Sequence, residues 1–170
     1  MSINEHKLEA PHSVNCKIIT VSDTRNEESD KSGKLIKHLL EENGHIVVDY
    51  EIVRDEKTLI RTSVLKGCET RNIDVVLING GTGIAKRDVT IEAVQSVFEK
   101  EITGFGEIFR ILSYQEDIGS AAMLSRAIAG ASMDTAVFAM PGSSRAVKLA
   151  MERLIIPELG HVVKEIKKDL

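Results

Sequence analysis

Four short runs of β-branched and aliphatic residues recur along the chain: "CKIITVSD" (16–23), "HIVVDYEIV" (45–53), "IDVVLIN" (73–79) and "DTAVFAM" (134–140). Each has the length and make-up of a strand. Segments of helical period separate them. From Asp30 to Asn43 the apolar residues Leu35, Ile36, Leu39 and Leu40 recur at helical spacing, and Gly44 stands where a C-cap belongs. Further helices are expected over 57–68, over 90–98 with Thr90 as N-cap, and over 105–126 with a break at Gly119. Ser143 or Ser144 opens a long C-terminal helix interrupted around Pro157. Strands that alternate with helices build a mostly parallel sheet covered on both faces, so the expected fold is a three-layer α/β/α sandwich. Residues 1–14 show no periodicity and read as a flexible arm, which leaves 15–170 as one domain.

Charge and cysteine usage narrow the function classes. A net charge of −4 argues against a broad basic surface for nucleic acid. Neither a leader-like segment nor an apolar run of membrane-spanning length is present, so a cytoplasmic protein without a membrane partner is expected. Cys16 and Cys68 lie far apart with no CxxC pattern, and read as free thiols. The five histidines form no cluster.

In open α/β sheets, ligands bind outside the carboxyl ends of the strands. Here those ends carry Ser22-Asp23, Arg54-Asp55, Gly80-Gly81-Thr82-Gly83 followed by Arg87-Asp88, and Pro141-Gly142-Ser143-Ser144. Two familiar glycine loops are excluded: a dinucleotide fingerprint needs glycine where Lys86 stands, and no Gly-Lys-Ser/Thr string exists for a P-loop. Three glycines after a buried strand still suit a phosphate, because bare backbone lets N–H groups reach its oxygens. Aspartates would repel that phosphate by about 4 kcal/mol per pair at 4 Å and an effective dielectric near 20. They make sense with Mg²⁺ between them, since this ion takes one or two carboxylates plus phosphate oxygens and water. Arg25, Lys86, Arg87 and Arg110 are available to neutralise the remaining charge. Asp23 and Asp55 have an equal reading as residues that open helices, and Ser143 and Ser144 read more simply as caps.

The strings "VSDTR", "LINGGTGIAKRDVTIEA", "GFGEIFRILSYQEDIGSAAMLSRAIAG" and "VFAMPGSSRAVKLAMERLIIPELGHVV" together resemble the MoaB/MogA family of molybdenum-cofactor biosynthesis proteins, over about residues 15–165 and closest to the MoaB branch. The resemblance implies a compact three-layer α/β domain assembled as a trimer or hexamer, with other enzymes of the pathway as partners. It implies binding of molybdopterin and, in competent members, transfer of AMP from Mg-ATP to the pterin's terminal phosphate. The alternative within the family is a protein that holds molybdopterin without turning it over. Carried over by position, Gly80, Gly81, Thr82 and Gly83 belong to the pterin-phosphate site, Asp55 and Asp88 are the acidic residues tied to activity and Mg²⁺, and Ser22 and Asp23 line the same pocket. Arg87, Arg110, Pro141, Gly142 and Ser143 complete the expected substrate-binding set. Ile91 departs from the proline common in the family, which affects the first helical turn more than the chemistry. The charge-poor stretch 118–133, together with Ala146, Leu149 and Ala150, is expected in part at a subunit interface.

Overall fold

A computed structural model describes residues 2–170, without the side chain of His6. Six strands form one sheet: β1 (Asn15–Val21), β2 (Ile46–Val53), β3 (Val75–Asn79), β4 (Lys100–Glu101), β5 (Ile128–Ser132) and β6 (Thr135–Met140), in the order β2-β1-β3-β6-β5-β4. The four expected runs are the four parallel strands, while β5 is antiparallel to β6 and β4 to β5. One face carries α2 (Lys31–Glu42), α5 (Thr103–Glu116), α6 (Ser144–Ala150) and α7 (Ile156–Lys167), packed on Ile18, Leu77 and Phe138. The other carries α3 (Lys57–Glu69) and α4 (Thr90–Gln95), packed on Ile19, Val76 and Ile78. Alternate residues of β1, β3 and β6 thus enter different cores, which is why these strands read as near-continuous apolar runs, whereas β2 at the sheet edge is only partly buried. The architecture is a three-layer α/β/α sandwich.

Several elements differ from expectation, each for a local reason. The β5–β6 hairpin turns through Met133 (φ 49°) and Asp134 (φ 64°), a pair of positive φ angles more often given to Asn-Gly. Methionine at that turn hides it, and the small residues of β5 hide the strand. Gly130 of β5 is required because a Cβ there would lie 2.7 Å from the Phe98 ring. Val89, not Thr90, is the N-cap of α4. The helix expected over 105–126 is α5 followed by a 3₁₀ segment (Gly119–Leu124). The break in the C-terminal helix is a π-helical segment (Met151–Ile155), and Pro157 sits in the first turn of α7 where its missing N–H costs nothing.

The segment 1–14, expected as a flexible arm, contains a helix, α1 (Ile3–Leu8), capped by Ser2 and Glu5 and tied to α7 by the ion pairs Lys7–Glu158 and Glu9–Lys164. Ala146 and Ala150, expected at a subunit interface, are instead buried in this chain's own core beside Val147, with Leu149 packed against it. Cys16 and Cys68 are free and buried, and burial pushes their thiols up to about 12 and about 11. Neither is ionised at neutral pH. Among the described residues no helix is long and apolar enough to cross a membrane.

Candidate functional site

The chain leaves β1 toward β2 on one side and leaves β3 toward β6 on the other, which makes the β1/β3 boundary the switch point of the sheet. A cavity of about 710 Å³ opens there. The exits of β1, β2, β3 and β6 contribute Ser22 and Asp23, then Asp55, then Gly80, Gly81, Thr82, Gly83 and Asp88, and finally Pro141 and Gly142. Gly80 turns at φ +94° with its N–H donating to the Met140 carbonyl at 3.1 Å, and Gly81 follows at φ +65°. A Cβ at Gly80 would strike the Val21 carbonyl oxygen. One at Gly81 would press on Thr90 Oγ1 and lie 2.9 Å from Asp55 Oδ1, and one at Gly83 would lie 2.6 Å from Asp88 Oδ2. Gly81 is therefore demanded twice, by left-handed backbone and by the carboxylate of Asp55, while Gly80 is required by its φ and the Val21 carbonyl and Gly83 lies against Asp88.

Those carboxylates differ in state. Asp23 pairs with Arg87 at 2.6 Å, and the Arg87 hydrogen bond holds its carboxyl below the usual range despite some desolvation. Asp88 Oδ2 accepts the Ala85 N–H at 3.0 Å. Asp55 makes no ion pair among the described residues, and its N–H donates to Asp23 Oδ1 at 3.2 Å. Burial, and then the charges of Asp23 and Asp88, push the Asp55 carboxyl above its ordinary value. Such mutual repulsion is what a divalent cation relieves. Among the described residues no three acidic, histidine or cysteine groups converge as an all-protein metal cage. Asp55 and Asp88 could hold a hard cation such as Mg²⁺ only if it brought its other oxygens with it, since this ion takes one or two carboxylates with water or phosphate oxygens.

Two arginines complete the walls. Arg126 donates from Nε to the carbonyls of Thr82 (3.0 Å) and Gly83 (3.1 Å), and from Nη2 to Gly83 O at 2.7 Å, while pairing with Glu92. It ties down the carbonyl side of the glycine turn. Arg25 donates to Ser32 Oγ at 2.6 Å and to Gly142 O at 3.1 Å, linking the β1 exit to the β6 exit. Beneath it lies a buried polar cluster of Thr20, Asp30, Ser32 and Asn79. Ser32 donates to Asn79 Oδ1 at 2.8 Å, and Asn79 Nδ2 donates to Thr20 Oγ1 at 2.9 Å, across neighbouring positions of β1 and β3.

Three expected binding residues stand elsewhere. Arg110 projects from α5 into a separate surface cavity with Tyr114 and Met123, so helical phase carries it away from the glycine turn. Ser143 is the N-cap of α6, accepting the Ala146 N–H at 3.2 Å, and does not line the cavity. Arg87 is exposed and does not line the cavity; it pairs with Asp23, and its charge also favours the ionised form of Asp55. Arg126, Ser125 and the apolar rim of Ile118, Ala121 and Leu124 line the cavity without having been anticipated. A sign of Arg126 was available: it is the only ionisable side chain in the stretch 118–133.

Comparison with known proteins places the chain in one group. Residues 17–161 match the family described as "Probable molybdopterin binding domain". Over 169 residues the chain is 66% identical to molybdenum cofactor biosynthesis protein B of Bacillus subtilis (strain 168), covering 99% of each. A crystal structure of a molybdenum cofactor biosynthesis protein B superposes with a TM-score of 0.91 at 61% identity, over 94% of this chain and 99% of that one. A tungsten cofactor synthesizing protein MoaB from Pyrococcus furiosus superposes with a TM-score of 0.82 at 40% identity, over 93% and 99%.

Proposed function

The chain belongs to the family of probable molybdopterin binding domains, on its MoaB side, and from that premise we propose that it binds molybdopterin and transfers AMP from Mg-ATP to the pterin's terminal phosphate. Its full-length relatives carry the name of molybdenum cofactor biosynthesis, and a role in that pathway is the coarser part of the reading. The observation that carries the finer part is the contact of Asp55 and Asp88 with a turn whose glycines leave no room for a Cβ. A site that only held a phosphate would gain nothing from carboxylates at that distance.

In the proposed reaction, an oxygen of the pterin phosphate attacks the α-phosphorus of ATP. A new P–O–P bond forms, the α–β anhydride bond breaks, and pyrophosphate leaves with the electron pair. The nucleophile is already ionised at neutral pH, so no histidine or cysteine base is required, and the chemistry asks for positioning and charge stabilisation. The backbone N–H groups of 81–83 orient the attacking phosphate, the Gly80 N–H being held by the Met140 carbonyl, and Arg126 fixes the opposite, carbonyl side of that turn. Asp55 and Asp88 would hold Mg²⁺, which when bound neutralises charge on the α-phosphate. A binding-only reading is favoured by the partners Asp23 and Asp88 already have, in Arg87 and the Ala85 N–H. Incubation with molybdopterin and Mg-ATP separates the two: adenylylated molybdopterin and pyrophosphate in equal amounts support transfer, and retained molybdopterin with neither product supports holding alone. The reading includes a homo-oligomer as the working form, in line with the family resemblance.

A further inference from the structure

A second cavity, of about 510 Å³, adjoins the first on the β2 side, and the two share Ser22, Asp23 and Arg25 as a common wall. Of these three only Arg25 carries positive charge. Its guanidinium is held from below. Asp30, with no exposed surface, lies 3.6 Å from Nη1, and the same carboxylate accepts the Gly33 N–H at 3.1 Å and the Tyr50 hydroxyl. Desolvation alone would raise the Asp30 carboxyl, but bonds from Thr20, Tyr50 and Gly33 together with the Arg25 charge hold it below its ordinary value. Capping α2 needs only one oxygen, which bonds Gly33; the other faces Tyr50. A Cβ at Gly33 would collide with Asp30 and lie 2.6 Å from Thr20 Oγ1 and 2.7 Å from Tyr50 Oη, so the cluster fills all the room the glycine leaves. Among the described residues, hydrogen bonds engage two of the five guanidinium N–H donors, those to Ser32 and Gly142.

We propose that Arg25 is the oxyanion-binding residue at the junction of the two cavities, and that buried Asp30, locked by Tyr50, positions it. The ligand class is a diphosphate whose two ends lie in different cavities. This rests on the adenylyl-transfer reading for the identity of that diphosphate, because transfer joins two phosphates, but the anion site itself does not depend on turnover. A guanidinium fixed before the ligand arrives binds more tightly than one that must be ordered on binding.

Inorganic pyrophosphate titrated calorimetrically into the full chain, without pterin or nucleotide, tests it. Arg25→Gln should weaken binding at least about tenfold and Arg25→Lys by less, since a point charge replaces a fork. Tyr50→Phe should weaken it several-fold in the native background and have no further effect in Arg25→Gln, a non-additivity that a merely structural role would not produce. Circular dichroism checks each variant; if Arg25→Gln unfolds, Arg25→Lys and its double variant carry the comparison. The proposal is overturned if the native protein fails to bind millimolar pyrophosphate, if the Arg25 variant used for comparison binds like the native protein, or if Tyr50→Phe acts equally in both backgrounds or not at all. Arg25-dependent pyrophosphate binding without adenylylated product would leave this inference standing while overturning adenylyl transfer.

Discussion

Asp55 is the residue at which function and stability pull in opposite directions. Its carboxyl is raised by burial and by the neighbouring charges of Asp23 and Asp88, so its ionised form is less comfortable in the folded chain than in the unfolded one. Between the ordinary aspartate value and the raised one, the folded state binds more protons than the unfolded state. Stability on this account falls as pH rises through the raised value, and the cost is greatest above it. Asp55→Asn should therefore melt higher than the native protein at pH 7 while losing activity, with the gap in melting temperature closing on acidification. An Asn variant that melts lower at pH 7 would mean the carboxylate is structural. Gly81 makes the complementary case. With φ at +65° and Asp55 Oδ1 2.9 Å from the site of a Cβ, Gly81→Val should abolish molybdopterin binding and lower the melting temperature. Wild-type affinity by calorimetry would remove the turn from the site.

At the scale of elements, β1, β3 and β6 were legible because each is buried on both faces, so "IDVVLIN" has no amphipathic alternative, while β2, at the sheet edge, was legible from its β-branched run. Their exits were legible too, since topology alone gathers them on one edge. What stayed hidden were features set by partners distant in sequence. β5 is a strand only because β6 and the Phe98 ring cover it, and its five residues carry no period. Arg126 joins the site across 43 residues, through carbonyls that any sequence would offer. Thr90 looks like a cap, yet its hydroxyl is buried under Gly81 with no hydrogen-bond partner among the described residues. Ser143 is the reverse, a suspected ligand that serves α6 as its cap. Ser143→Ala should cost about 1 kcal/mol of stability. In a chain of this length that is a drop of about 2–4 °C in melting temperature. Molybdopterin affinity should not change, and a loss of affinity without a loss of stability would return Ser143 to the binding set.

At the scale of the whole molecule, the apolar surface left uncovered is not where the start of the C-terminal helix suggested. A run of it lies along α5 and the 3₁₀ segment through Ile108, Ile111, Tyr114, Ile118, Met123 and Leu124, with Met123 at 82% exposure. Large exposed apolar side chains gathered on one face mark an interaction surface. With the proposed homo-oligomer, this face is the one to meet a second copy, and it adjoins the cavity because Ile118 and Leu124 line the rim. Light scattering should find a trimer or hexamer at micromolar concentration, and Met123→Asp with Ile111→Asp should dissociate it; a monodisperse, active monomer would contradict the assignment. The central claim, that carboxylates at the glycine turn run an adenylyl transfer, is tested most directly by the rate of adenylylated molybdopterin formation in Asp88→Asn beside the native protein. Loss of one charged contact at the transition state, about 2–4 kcal/mol, predicts product from the native protein and a rate lower by about 30- to 1,000-fold in a variant of unchanged fold. Equal rates in the two proteins, or no adenylylated product from either, would contradict it.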